Sequence, residues 1–207
     1  MIAPETLAVF FMASVVLALA PGPDNIFVLT QSALRGPSAG LLVTLGLGTG
    51  LLVHTAAVSL GIAAVVQASA TALTILKLLG AGYLLYLAWL ALRAAGGPID
   101  LGRRGLLSRW QLYRRGIIMN VTNPKVSVFF IAFLPQFVEP ARGPITLQLV
   151  ALGGLFIVAT LLVFGGVALV AGSLGEWLAR SERAQRFMHR MAGVVFGGLA
   201  IHLAVAC

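Results

Sequence analysis

The chain has 207 residues, of which 59% are hydrophobic and only 10% charged, where a soluble domain carries roughly 25% charged residues. So few charges cannot clothe a water-facing surface, which excludes a soluble enzyme and leaves lipid as the main solvent. The net charge of +8 does not indicate nucleic acid, because the arginines gather in the connections between apolar runs, as membrane orientation requires.

The first apolar run spans 6–34. Its portion Leu7 to Ala20 ends in Ala18-Leu19-Ala20, which resembles a signal-peptidase site, but Glu5 precedes it, no Lys or Arg does, and Pro21 follows. It is therefore expected to remain as a membrane segment. Further apolar runs cover about 38–66, 72–92, 113–138, 145–172 and 188–206. None shows the period-2 alternation of barrel strands, and at ~20 residues per crossing they predict an all-α polytopic membrane protein of about six transmembrane helices. Glycines inside the runs (Gly46, Gly48, Gly50; Gly80, Gly82; Gly193, Gly197) predict close helix packing.

Charge orients the segments. Arg35, then Arg93, Arg103, Arg104, Arg109, Arg114 and Arg115, then Arg180, Arg183, Arg186 and Arg190 lie in alternate connections, making eleven of the fourteen basic residues. The opposite side holds only Arg142, so both termini are expected outside the cytoplasm. The layout divides into a three-helix half over 1–95, a basic cytoplasmic loop over 96–112 and a second half over 113–207. With three crossings each, the halves enter from opposite sides and form inverted repeats.

The first helix of each half is expected to be broken. Pro21, Gly22 and Pro23 interrupt the first, and Pro124 the fourth, because proline removes a backbone donor and opens the hydrogen-bond ladder. Interrupted segments at matching positions of two halves point to a midplane binding site in transporters. Five of the six acidic residues (Glu5, Asp100, Glu139, Glu176, Glu182) sit in loops or at span ends, whereas Asp24 lies well inside, as does Lys125. Intramembrane charges cost at least ~2.5 kcal/mol and usually mark a pathway or a partner. Asp24 suits either a cap on the second half-helix or a substrate and proton site. Lys125 suits either an ion pair with Asp24 or a substrate contact. Asn25, Asn120 and Asn123 add donors and acceptors for substrate or for the broken backbone. His54 is a weaker candidate, as a proton relay or as an internally bonded histidine, and Lys77 is near enough to a span end to snorkel. Cys207 is the single cysteine and is expected to be inert; no metal or organic cofactor is indicated.

Pro21-Gly22-Pro23-Asp24-Asn25, Asn123-Pro124-Lys125 and Phe129-Phe130-Ile131-Ala132-Phe133-Leu134-Pro135-Gln136-Phe137-Val138 together resemble the LysE/RhtB family of amino-acid exporters, over essentially the whole chain. The resemblance implies efflux of amino acids or derivatives such as homoserine, threonine, lysine or homoserine lactone across a bacterial inner membrane, linked to the proton-motive force, by a protein that forms homodimers. On this reading Asp24 holds an ammonium and Lys125 a carboxylate, with protons exchanged at Asp24 in an antiport cycle of alternating access. An ion or metal permease on a similar scaffold is the alternative; a membrane enzyme would need an activated nucleophile, paired acids or a His-rich metal motif.

Overall fold

A computed structural model describes residues 2–20, 22–68, 70–94, 107–171 and 181–205, and all of its regular structure there is helical. Prolines open several of the helices: Pro4 starts α1 (Pro4–Leu19), Pro23 starts α2 (Pro23–Arg35) and Pro37 starts α3 (Pro37–Ala68). The ring's fixed φ suits a first helical residue, whose N–H lacks a partner in any case. Gly36 carries α2 into α3 at φ +83°, a conformation that L side chains seldom adopt. α4 follows over Ala70–Arg93.

α5 (Arg109–Val121) begins earlier than the expected span at 113. Ser108 and Gln111 form a reciprocal capping box: the Gln111 N–H donates to Ser108 Oγ, and the Ser108 N–H donates to Gln111 Oε1. Arg109, Arg114 and Arg115 therefore stand on a helix rather than in a loop. Pro124 opens α6 (Pro124–Val128), which runs through a π-turn (Phe129–Phe133) into a 3₁₀ turn (Leu134–Phe137). α7 spans Ile145–Val170, and α8 spans Glu182–Val205, so Arg183, Arg186 and Arg190 too are helical. Arg103, Arg104, Arg180, Asp100, Glu176, Pro21 and Cys207 lie outside the described residues, as do the side chains of Lys77 and His202.

By length and composition, residues 37–61 of α3 and all of α7 suit a membrane crossing. Two bent pairs meet the same test jointly: α1 with α2, at 63°, and α5 with Pro124–Phe137, at 49°. Both expected breaks are thus present. Among the described residues Leu78–Arg93 of α4 is apolar as well, and α8 carries arginines in its first turns. Leu60, Leu79, Leu147 and Val194 are each at least 65% exposed, an apolar exterior suited to lipid.

Packing follows a pattern of exchange. α3 lies against α7 and α4 against α8; α3 also lies against α5, and α7 against α1. Interchanging α1, α3 and α4 with α5, α7 and α8 maps this set of contacts onto itself. Glycines permit the tightest crossing: a Cβ on Gly46 would stand 2.2 Å from the Tyr113 carbonyl oxygen, and one on Gly116 would stand 2.4 Å from that of Val43. Gly48 instead faces Leu161 of α7, and Gly193 faces Leu92, while Gly82 and Gly197 have nothing within 4 Å, so not every glycine of the apolar runs marks a contact. The core beside the second break is aromatic, with Phe10, Phe129, Phe130, Phe133, Phe137 and Phe156 in successive ring contacts.

Candidate functional site

The two breaks meet each other. In an unbroken helix the carbonyl of Leu17 would receive the N–H of residue 21, but residue 21 is proline. The Lys125 ammonium supplies the donor instead, with Nζ 3.2 Å from the Leu17 oxygen and 2.9 Å from that of Ala20. Asn25 serves the carbonyl between them, donating from Nδ2 to Ala18 at 2.7 Å. Three carbonyls at the end of α1 are thus satisfied by side chains from beyond the break. Gly22 makes room for the lysine, since a Cβ there would lie 3.2 Å from Nζ.

The second break repeats this logic. The carbonyl of Asn120 would pair with residue 124, again a proline. It accepts from the Asn123 N–H at 3.0 Å and lies 3.1 Å from His54 Nε2. A carbonyl can only accept, so Nε2 carries the hydrogen. Asn123 then caps α6, its Oδ1 accepting the Lys125 N–H at 3.0 Å. Its Nδ2 donates to Asp24 Oδ2, also at 3.0 Å. One asparagine therefore spans the two breaks, bound to the carboxylate on one side and to the first turn of α6 on the other.

Asp24 and Lys125 form no salt bridge in the structure; the two breaks are linked instead by Asn123 on Asp24 and by Lys125 on the α1 carbonyls. Asp24 is 3% exposed, and its Oδ1 takes no hydrogen bond. Asn25 Oδ1 and Asn120 Oδ1 are buried in the same unsatisfied state, as is Gln136 Oε1 one helical segment further on. Buried polar atoms normally have partners, and each of these lacks a donor. Lys125 has the converse surplus, since an ammonium offers three hydrogens and two are used.

All five expected binding residues thus fall at one junction, though with different duties. Asp24 and Asn120 present acceptors. Lys125, Asn25 and Asn123 mend the backbone. His54 joins them through the Asn120 carbonyl and rests against Phe130, their ring centroids 5.6 Å apart. Sequence reading passed over the part played by Gly50, which lies one turn before His54 on the same face of α3. A Cβ at Gly50 would meet the Asn120 Cβ and Oδ1 at 2.8 Å each. The missed signal was spacing: Leu17 and Asn120 each precede a proline by four residues. Among the described residues no group of three or more His, Cys, Asp or Glu side chains comes together to hold a metal.

A family model described as LysE type translocator matches residues 15–206. The chain is 34% identical over 188 residues to a homoserine/homoserine lactone efflux protein of Salmonella typhimurium, covering 90% of both chains. It is 32% identical over 197 residues to an uncharacterized membrane protein of Vibrio cholerae, covering 95% of both. It is also 24% identical over 198 residues to a leucine efflux protein of Salmonella choleraesuis, covering 94% of this chain and 92% of the relative. No solved structure matches.

Proposed function

We propose, for a chain that belongs to the family of LysE type translocators, that it exports amino acids or their derivatives from a site at the junction of the two helix breaks. The observation that carries this reading is the buried Asp24 carboxylate, which has one oxygen held by Asn123 and the other without a donor. An ammonium group is the complementary ligand, able to give hydrogens to Asp24 Oδ1 and to the unsatisfied amide oxygens of Asn25 and Asn120. The relatives' names fit this emphasis. Homoserine, its lactone and leucine share an amino group, whereas the lactone has no free carboxylate. The ammonium is then the common handle, and the third hydrogen of Lys125 serves substrates that do carry a carboxylate.

The cycle we infer is alternating access around this junction. Six crossings in two inverted halves would let α1–α4 and α5–α8 rock against each other, in keeping with their exchange of packing partners. Asp24 exchanges a proton for the substrate ammonium, which makes the protein an inner-membrane antiporter with its basic connections on the cytoplasmic side. A metal permease would instead surround its ion with several acids, imidazoles or thiols.

The test is Asp24→Asn in proteoliposomes. The amide keeps the size and can still accept from Asn123, but it cannot titrate. Folded yield is expected to match that of the wild type, while acceleration of transport by an imposed pH gradient is lost and some exchange survives. Undiminished acceleration in the variant would exclude Asp24 as the proton carrier.

A further inference from the structure

We propose that His54 is a positioning residue of the transport site: it supplies the hydrogen bond that Pro124 cannot give to the Asn120 carbonyl, and so holds the turn from which Asn123 reaches Asp24. This assigns His54 a role different from proton relay. The geometry is specific to one row of α3. Gly46 lies against Gly116, Gly50 accommodates the Asn120 side chain and His54 meets the Asn120 carbonyl, at successive steps of four residues along a single face. His54 is 9% exposed, and its ring rests against Phe130 at 5.6 Å with Nε2 toward the break. Two bonds beyond it the chain reaches the carboxylate: the Asn123 N–H donates to the Asn120 carbonyl, and the Asn123 side-chain amide, its oxygen held by the Lys125 N–H, donates to Asp24.

The first break is built the same way, with Lys125 donating to the Leu17 carbonyl that Pro21 leaves without its donor. In both breaks the carbonyl four residues before a proline is served by a nitrogen from another segment. The pattern makes donation, rather than proton exchange, the common duty of these two side chains.

Glutamine reaches about as far as a histidine Nε2 and carries an amide N–H, but does not titrate; phenylalanine fills the space and donates nothing. The proposal rests on the exporter reading only for its transport measurements, so a second measurement is made on the purified protein without substrate. Hydrogen–deuterium exchange over residues 118–128 is expected to be as slow in His54→Gln as in the wild type, and faster in His54→Phe. In vesicles loaded with labelled homoserine or leucine, His54→Gln should keep the wild-type KM within about twofold and keep acceleration by the gradient. His54→Phe should raise KM about three- to tenfold, the effect of losing one buried hydrogen bond, with a smaller change in maximal rate. Loss of gradient acceleration in His54→Gln would overturn the proposal in favour of a relay. A KM in His54→Gln shifted as far as in His54→Phe would overturn it, and so would unchanged exchange over 118–128 in His54→Phe. Should His54→Phe fail to fold, the glutamine variant alone decides. The expected exchange pattern without transport of either amino acid would leave the positioning role standing and count against the exporter reading.

Discussion

At the scale of single residues, the junction is held by donors that compensate for proline. Lys125 is the clearest case, because its ammonium serves two carbonyls at the end of α1 and would otherwise be an unpartnered charge at the break. Lys125→Ala should destabilise the fold by about 1–3 kcal/mol, the usual cost of leaving buried acceptors without donors, read as a fall in the thermal midpoint of the detergent-purified protein. Adding Asp24→Asn should not restore it, since the Leu17 and Ala20 carbonyls stay unserved whatever stands at position 24. Recovery of the wild-type midpoint in the double variant would mean that a direct charge pair is the real tie. Asp24, Lys125 and the three asparagines were visible in the sequence, because charged and amide side chains in apolar runs are rare. Their division of labour was not, since the bond by which Asn123 reaches Asp24 closes across 99 residues of chain.

At the scale of elements, proline spacing decides where helices stop and glycine decides how closely they cross. Both breaks were readable from Pro21-Gly22-Pro23 and Pro124, because loss of the backbone donor is a local property. The start of α5 was misread by four residues, although Ser108 and Gln111 have the spacing of a capping box, because the apolar pattern takes hold only after the arginines. Glycine roles were only half readable. Gly46 and Gly82 look alike in the sequence, yet one is pressed against Tyr113 and the other has nothing within 4 Å, a difference that only the packing of distant segments creates. The pair supplies a matched prediction. Gly46→Ala should push α3 off α5 and lower the thermal midpoint by the equivalent of about 1–3 kcal/mol, as overpacking does. Gly82→Ala should leave it unchanged or raise it, by up to about 1 kcal/mol of helix propensity. Equal effects at the two positions would contradict the crossing described here.

At the scale of the whole molecule, orientation and transport are the remaining properties. Single cysteines at Arg109→Cys and Arg183→Cys, in a Cys207→Ala background, should resist a membrane-impermeant thiol reagent in intact cells, whereas Ala141→Cys, in the exposed turn closed by the Glu139–Arg142 ion pair, should react. Opposite sidedness of positions 109 and 183 would overturn the six-span count, and labelling of both from outside would reverse the orientation. The claim on which the account turns is that this junction moves an amino-acid ammonium outward against a proton. Inverted membrane vesicles, in which export becomes uptake, test it most directly with a panel of labelled amino acids that includes homoserine, its lactone and leucine. Uptake of at least one of them should exceed that of vesicles lacking the protein, rise with an imposed pH gradient and collapse when the gradient is dissipated. Uptake no greater than in protein-free controls across the panel would contradict the account.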